Sequence, residues 1–339
     1  MIRVQPERFL RGVLPGLSWA DDGARLPLAA CGKLTADTVR AARVAAALHL
    51  AFTGSASVIE LTVGVGERTT VPAPDLPAAF VVRTVGQPPR EVRLPADGGI
   101  VSVPLPRRAP ETVVRVYLPE AVEVAVLGLA ADRPLHPAPR GPLWVVYGDS
   151  ITQGWSVSTP GLAWPSQVAD ALGLDLVNLG FAGAARGELP AADVLAASGA
   201  GAVAMAWGTN AYSSLPTSTA QIAETTRLFL TTVRAGLPDA PVTVVSPIVR
   251  PDAEDVPNRF GATLADLREA QETAVRRFAA VHGDDRVSLV PGLGLVRGDQ
   301  LVDGIHPGDE GHTSFASGVI PRVAAGLGQA AERATAGTA

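Results

Sequence analysis

The stretch LWVVYGDSITQGW, residues 143–155, is an apolar run that ends abruptly at Gly-Asp-Ser. A glycine often permits the sharp turn at the end of a strand, and a serine is a favoured capping residue at the start of a helix. Ser150 therefore has two interpretations. It is a nucleophile at the end of a buried strand, or it is only a helix cap, and the rest of the chain has to decide between them.

The chain after Gly141 alternates short apolar runs with longer helical patterns. Strict alternation of strand and helix predicts a parallel sheet with helices on both faces. In such sheets, ligands bind at the carboxyl ends of the strands, so the residues that follow each run are the first candidates for a site. The predicted strands are LWVVYG, LDLVNLG, AVAMAWG, VTVVSPI and RVSLVPG.

Polar residues and glycines follow four of these runs. They form the blocks Gly148-Asp149-Ser150, Asn178-Leu-Gly180-Phe-Ala-Gly183, Gly208-Thr209-Asn210 and, in the loop after the last run, Asp303-Gly-Ile-His306. Together they offer a hydroxyl, backbone and amide donors, a carboxylate and an imidazole. These are the parts of an acyl-transfer site.

Each part has a chemical reason. Ser150 needs a base, because its hydroxyl is a poor nucleophile at neutral pH. His306 can be that base, and Asp303 can fix its tautomer. The N–H groups of Ser150 and Gly183 and the side-chain amide of Asn210 can stabilise a tetrahedral oxyanion. This set predicts covalent catalysis by serine without a cofactor.

The blocks GDS, N-x-G-x-x-G, G-x-N and D-x-x-H occur in this order between residues 144 and 315. In order and spacing they resemble the SGNH hydrolases, also called GDSL esterases. The resemblance implies a flavodoxin-like three-layer α/β/α fold on a parallel five-stranded sheet. It also implies a catalytic triad of Ser150, Asp303 and His306, with Ser150, Gly183 and Asn210 as oxyanion donors.

The third block departs from the family pattern, which often has an aspartate after the asparagine. Here Ala211 and Tyr212 follow Asn210, whose oxyanion role does not need that aspartate. The nucleophile motif of the α/β-hydrolases, G-x-S-x-G, does not occur in the sequence. Further candidates for substrate binding are Asp149, Trp155, Arg186 and Tyr212.

Several of these residues also have simpler interpretations. Asp303 and His306 can supply two metal ligands, with His312 as a possible third, although we predict no metal site. Gly183 can be only a turn residue. Arg186 and Glu188 can form a solvated ion pair instead of lining the pocket.

The first part of the sequence has a different pattern. Bursts of period two between residues 49 and 127 are typical of strands, and their even spacing predicts a jelly-roll-like β-sandwich. The connector RPLHPAPRGP has four prolines, which disfavour both helix and central strand. We therefore predict a β-sandwich domain at 1–132, a linker at 133–142 and an SGNH hydrolase domain at 143–332.

The composition limits the partners. The chain has 339 residues, a formal net charge of −5 and a single cysteine, Cys31, which excludes an intrachain disulfide. It has no basic cluster with interleaved aromatics that would predict nucleic-acid binding, and no apolar run of about eighteen residues that would predict a membrane span. The first residues lack the apolar core of a signal peptide, so we expect a cytoplasmic protein unless a leader was trimmed. The sequence does not predict the oligomeric state.

These observations predict a serine esterase for short-chain O-acyl esters, acetyl esters among them, of a sugar or another hydroxylated small molecule. A β-domain before an SGNH domain is similar to the layout of some carbohydrate esterases, which favours such a substrate. A lipid or lysophospholipid esterase and an acyltransferase are the enzymatic alternatives. The non-enzymatic alternative is a glycan-binding module on an inactive SGNH scaffold. The complete set of site residues argues against this alternative.

Overall fold

The first half of the chain forms two antiparallel β-sheets in the computed structural model, which describes residues 1–19, 23–69 and 78–336. Buried and exposed side chains alternate along strands such as Gly99–Pro104, so that one face of the sheet is apolar. The strands are β1 (Ile2–Val4), β2 (Leu10–Arg11), β3 (His49–Gly54), β4 (Val58–Arg68), β5 (Ala79–Thr84), β6 (Arg90–Arg93), β7 (Gly99–Pro104), β8 (Val114–Tyr117), β9 (Val122–Ala131) and β10 (Leu135–Pro137).

The two sheets enclose one apolar core. One sheet has the order β1-β9-β4-β7, and the other has the order β10-β3-β8-β5-β6 with β2 beside β3. Phe52 of the second sheet is buried in the same cluster as Leu61 and Val103 of the first. The predicted β-sandwich is thus confirmed. Residues 20–22 and 70–77 of the predicted range lie outside the described residues.

Two short helices, α1 (Leu28–Cys31) and α2 (Ala36–Ala42), lie between β2 and β3. They belong to the range predicted as sandwich, yet Leu26 and Ala42 are buried in the same core cluster as Leu179 and Phe181 of the second half. The two halves therefore share an apolar core.

The predicted linker at 133–142 contains β10, which lies at the edge of its sheet. Proline is tolerated at a sheet edge because the backbone N–H that it lacks would otherwise face away from the sheet. The domain limits at 132 and 143 stay a prediction.

The second half is a parallel sheet between two layers of helices. Its elements in chain order are β11 (Leu143–Gly148), α3 (Ser150–Gln153), α4 (Trp164–Leu172), β12 (Asp175–Gly180), α5 (Leu189–Ala196), β13 (Ala202–Ala206), α6 (Thr219–Gly236), β14 (Val242–Val245), α7 (Leu264–His282), β15 (Val287–Val290) and α8 (Asp309–Ala336). The five strands have the order β12-β11-β13-β14-β15 and all pair in parallel. This is the flavodoxin-like order.

Alternate residues of β11 point into the two helical layers. Val145 and Tyr147 are buried in one core cluster with residues of α5, α6 and α7. Trp144 and Val146 are buried in another cluster with residues of α4 and α8. Burial on both faces explains the nearly continuous apolar runs of the sequence. The predicted three-layer fold is confirmed.

None of the helices in the part of the chain that the structure describes is long and apolar enough to cross a membrane. The cytoplasmic location stays a prediction.

Candidate active site

Ser150 lies at the turn between the first parallel strand and the short helix after it. β11 ends at Gly148 and α3 begins at Ser150. Gly148 is needed here, because a Cβ atom at this position would lie 2.1 Å from Thr152 Oγ1. The residue that caps the helix is Asp149, whose carboxylate accepts a hydrogen bond from Ile151 N at 3.1 Å. The hydroxyl of Ser150 is therefore available for another partner.

That partner is His306. Ser150 Oγ lies 2.8 Å from His306 Nε2, and His306 Nδ1 lies 2.7 Å from Asp303 Oδ2. In this arrangement a neutral imidazole donates from Nδ1 to the carboxylate and accepts a proton at Nε2. The three side chains selected from the sequence thus form one hydrogen-bonded chain.

Asp303 also orders the loop that carries His306. Its Oδ1 accepts hydrogen bonds from the backbone N–H groups of Ile305 at 3.0 Å and His306 at 2.8 Å. Burial raises the pKa of Asp303, but the hydrogen bonds from the His306 ring and from these N–H groups outweigh burial and hold the pKa below its ordinary value. Asp303 is therefore ionised at neutral pH and can stabilise a positive charge on the imidazole.

The loop after β12 leaves one backbone N–H without an acceptor among residues 181–187, that of Gly183. The others donate to Gly148 O, Gln153 Oε1, Phe181 O, Glu188 Oε2 and Tyr147 Oη. Gly183 has φ +69°, a conformation that favours glycine, and nothing lies within 4 Å of its Cβ position. Gly183 is thus a turn residue whose N–H is also available to a ligand.

Two more donors lie at the same edge of the sheet. Asn210 lies in a short 3-10 turn, Thr209–Ala211, that follows β13. Its Nδ2 donates to Ala185 O at 3.4 Å, which leaves the second amide proton available. Ser150 N is the first N–H of α3, and the first N–H groups of a helix have no acceptor within it. Three neighbouring strands thus each present a donor.

Asn178, which opens the second block, has a structural role. It is fully buried. Its Nδ2 donates to Thr152 O at 2.8 Å, and its Oδ1 accepts from Gly180 N at 2.8 Å. Asn178 therefore ties the helix of Ser150 to the strand that leads into the Gly183 turn.

Asp149 lies beneath the site and not on its surface, since it is only 2% exposed. Burial raises its pKa to about 6, although the hydrogen bond from Ile151 N and the nearby His306 act in the opposite direction. The structure thus places this candidate for substrate binding as the cap of α3.

Trp155 and Tyr212 are half-buried aromatic side chains beside the site residues. The ring of Trp155 lies 5.8 Å from the ring of His306, measured between centroids, at an interplanar angle of 38°. Tyr212 follows the Asn210 turn, and the guanidinium of Arg250 lies 5.2 Å from its ring centroid. Trp155 offers an aromatic surface directly beside the imidazole.

Arg186 and Glu188 do not form an ion pair with each other among the described residues. The Arg186 guanidinium binds the carboxylate of Asp37. The Glu188 carboxylate accepts hydrogen bonds from Tyr147 Oη at 2.5 Å and from Thr38 Oγ1 at 3.0 Å. No sequence pattern links Asp37 or Thr38 to this loop. Both side chains of the loop are thus engaged by neighbouring parts of the fold.

His312 is not part of the hydrogen-bonded chain of Ser150, His306 and Asp303. It is fully buried, its Nδ1 accepts a hydrogen bond from Trp164 N at 3.1 Å, and burial lowers its pKa to about 4. Within the described ranges, no cluster of three or more His, Cys, Asp or Glu side chains is arranged to hold a metal ion. His312 is therefore a residue of the core.

Solved structures share this architecture. A salicylyl-acyltransferase from a tetracycline biosynthetic pathway is 24% identical, with a TM-score of 0.79 over 94% of each chain. A protein described as a GDSL-like lipase, from Bacteroides ovatus ATCC 8483, is 21% identical, with a TM-score of 0.77 over 96% of this chain and 97% of that chain. A family two carbohydrate esterase from Clostridium thermocellum, solved in complex with cellohexaose, is 18% identical, with a TM-score of 0.60 over 83% of this chain and 92% of that chain.

At these identities the solved structures show the fold, and no curated protein matches the chain significantly. The family is shown by a family model, described as the GDSL-like lipase/acylhydrolase family, that matches residues 143–324, more than half of the chain. The chain therefore belongs to the GDSL-like lipase/acylhydrolase family and is a carboxylic ester hydrolase.

Proposed function

We propose that this chain is a serine esterase that hydrolyses short-chain O-acyl esters, acetyl esters among them, of a sugar or another hydroxylated small molecule. The reaction passes through an acyl-serine intermediate. The observation that carries the proposal is the hydrogen-bonded chain from Ser150 Oγ through the His306 ring to the Asp303 carboxylate. Free donors beside Ser150 supply an oxyanion site.

Acylation uses His306 first as base and then as acid. His306 Nε2 takes the proton of Ser150 while Oγ attacks the ester carbonyl carbon. The carbonyl oxygen becomes an oxyanion, which the N–H groups of Ser150 and Gly183 and the amide of Asn210 bind. The bond to the alcohol oxygen then breaks, and His306 gives its proton to that oxygen. The alcohol leaves, and the acyl group remains on Ser150.

Deacylation repeats these steps with water in place of the alcohol. His306 takes one proton from water while the water oxygen attacks the acyl carbon, and the same donors bind the oxyanion. The bond to Ser150 Oγ breaks, and His306 returns the proton to Oγ as the carboxylic acid leaves. Throughout, Asp303 fixes the tautomer of His306 and stabilises its charged form.

Three observations support a small acyl group on a carbohydrate-like alcohol. The loop that presents the Gly183 N–H begins with small residues, Ala182 and Gly183, which offer no long apolar wall to a lipid chain. Trp155 presents an aromatic surface next to His306, and aromatic side chains are common in small-molecule sites. The family two carbohydrate esterase from Clostridium thermocellum, whose structure is in complex with cellohexaose, has a similar fold.

Acyl transfer is the second candidate function, because the salicylyl-acyltransferase shares the fold over 94% of both chains. Hydrolysis and transfer pass through the same acyl-serine and differ only in the acceptor, which is water or a second alcohol. Product analysis with added alcohols therefore distinguishes the two reactions.

A substrate panel tests the acyl and alcohol preference. p-Nitrophenyl esters from acetate to palmitate are compared with acetylated sugars. We expect the highest kcat/KM on acetyl esters, and no activity above background for Ser150→Ala. A maximum at palmitate would support the lipid esterase instead.

A serine-directed fluorophosphonate tests whether the site is active at all. We expect it to label the wild type and not Ser150→Ala, because only an activated serine reacts. A folded wild-type protein that is neither labelled nor active on any ester would overturn the proposal in favour of an inactive glycan-binding scaffold.

A further inference from the structure

We propose that the N-terminal segment, residues 25–38, positions the oxyanion loop, residues 181–188, and thereby fixes the direction of the Gly183 N–H. Arg25, Asp37 and Thr38 act as positioning residues through their contacts with the two ends of the loop. The inference rests on the proposed function, in which the Gly183 N–H binds the oxyanion.

Arg25 holds the end of the strand that leads into the oxyanion loop. Its side chain is buried, with Nη1 donating to Asn178 O at 2.5 Å and Nη2 donating to Gly180 O at 2.8 Å. The same guanidinium donates to Ala41 O at 2.6 Å and to Val44 O at 2.7 Å. One side chain thus joins the N-terminal segment to the last residues of β12.

Asp37 and Thr38, in the first turn of α2, hold the other end of the loop. Asp37 pairs with Arg186, and Thr38 Oγ1 donates to Glu188 Oε1 at 3.0 Å. Tyr147 Oη donates to the second oxygen of Glu188, so the carboxylate is held from two sides. Burial raises the pKa of Asp37, but side-chain hydrogen bonds, that from Arg186 among them, outweigh burial and keep the pKa below its ordinary value. The ion pair is therefore present at neutral pH.

The loop between these two anchors is short, and its free N–H, that of Gly183, lies near its middle. A donor stabilises an oxyanion best when it points at the developing charge before the reaction, so that no reorganisation is needed. Release of either end allows the Gly183 N–H to turn away. Such a change weakens binding of the transition state and leaves binding of the ground-state ester nearly unchanged.

The same contacts would also exist if the segment only stabilised the fold, so the test must separate the two roles. Asp37→Asn combined with Thr38→Val nearly preserves side-chain volume while removing the ion pair and the hydroxyl donor. Arg40→Gln is the matched control, since Arg40 is an exposed residue of the same helix and makes no ion pair among the described residues. Asp37→Asn alone is the milder variant if the double variant does not fold.

Three measurements on the full chain report the position of the donor. They are kcat and KM on an acetyl ester, the affinity for a trifluoromethyl ketone, and hydrogen–deuterium exchange of residues 181–188. Ser150 Oγ attacks the carbonyl carbon of the ketone, its proton passes to His306, and the carbonyl oxygen becomes a bound oxyanion. In the double variant we expect kcat to fall about 10-fold, less than the loss of about 10²-fold or more on deleting a donor. KM should change less than about two-fold, ketone affinity should fall by the same factor as kcat, and exchange should become faster. Arg40→Gln should match the wild type.

If the double variant had the same kcat and the same ketone affinity as the wild type, the inference would be overturned, even if hydrogen–deuterium exchange became faster. A lower melting temperature without a selective loss of ketone affinity would also overturn it, because the contacts would then serve stability alone. If Ser150→Ala retained full activity, the proposed function would fail and this inference with it. If Ser150→Ala were inactive and only the Asp37 and Thr38 results were negative, the inference alone would fail.

Discussion

Ser150 Oγ and His306 Nε2 lie 2.8 Å apart, although 156 residues separate them in the chain. The parallel sheet makes this contact possible, because β11 and β15 both end at the same edge and their following loops meet there. The hydroxyl and the imidazole therefore belong to one site, and their roles can be tested together.

Ser150→Ala and His306→Ala should each lower kcat by about 10⁴-fold or more, because a serine nucleophile and its histidine base, the roles proposed for these residues, act as one unit. The double variant should be little slower than either single variant. Steady-state kinetics on an acetyl ester measures both effects, and His282→Ala, an exposed histidine of α7, serves as the control. Losses that add in the logarithm of the rate would contradict the triad.

Asn210→Ala should lower kcat by about 10²- to 10³-fold with little change in KM, the usual effect of removing one oxyanion donor. The variant also loses the long hydrogen bond to Ala185 O at 3.4 Å, so its melting temperature is measured as well. Gln87→Ala is the control, since its amide donates to Arg107 O within the first half of the chain. An effect confined to KM would mean that Asn210 binds the ground state.

The buried carboxyl group of Asp149 should make the free energy of unfolding fall as the pH rises from about 4 to about 7. Burial raises its pKa from 3.8 to about 6 on folding, so between these values the folded state binds more protons than the unfolded state. The contribution of Asp149 to the free energy of unfolding is greatest below pH 3.8, the ordinary pKa, and is lost as the pH rises through about 6, the pKa in the folded state. Asp149→Asn removes this dependence and keeps an oxygen for the bond from Ile151 N. The variant should therefore gain stability relative to the wild type from about pH 4 to about pH 7.

Urea unfolding at several pH values measures this effect, with Asp266→Asn as a control of opposite sign. Hydrogen bonds from the backbone and side chain of Thr263 lower the pKa of Asp266 on folding. The contribution of Asp266 is therefore present above its ordinary pKa of 3.8 and is lost as the pH falls through its folded value. Parallel pH profiles for the two variants would argue against the raised pKa of Asp149.

A fragment that begins at Gly141 should melt early and lose activity on every ester. Leu26 and Ala42 are buried in one cluster with Leu179 and Phe181, so removal of the first 140 residues exposes apolar surface beside the site. Thermal unfolding and fluorophosphonate labelling of the fragment, alone and mixed with residues 1–140, measure the loss. A soluble fragment with the kcat/KM of the full chain would show that the shared core is dispensable.

The fold of the second half could be predicted because its signals are local. Each apolar run is a strand buried on both faces, and Ser150, Gly183 and Asn210 follow three neighbouring strands directly or after a short turn. Residues that are far apart along the chain but follow neighbouring parallel strands therefore lie close together at one edge of the sheet. In the first half, period two predicted strands but not their partners. β4, for example, pairs with β7 and β9, and such long-range pairing has no local pattern.

The contacts of Arg25, Asp37 and Thr38 could not be predicted from the sequence. Arg25 lies 153 residues from Asn178, and Thr38 lies 150 residues from Glu188. An isolated arginine in a segment without periodicity has the signature of a solvated surface residue. Arg25 is buried because it binds the carbonyl groups at the end of β12, and these groups are far from it along the sequence.

β12 is an edge strand of the parallel sheet, and Arg25 donates hydrogen bonds to the carbonyl oxygens of Asn178 and Gly180 on that strand. An open strand edge is a template on which a strand of another chain can add, which leads to aggregation. The guanidinium N–H groups of Arg25 donate to these carbonyl oxygens, which the backbone N–H groups of a strand from another chain would otherwise bind. Because residues 25–38 are synthesised before β12, the group that prevents strand addition is already present when the strand first forms.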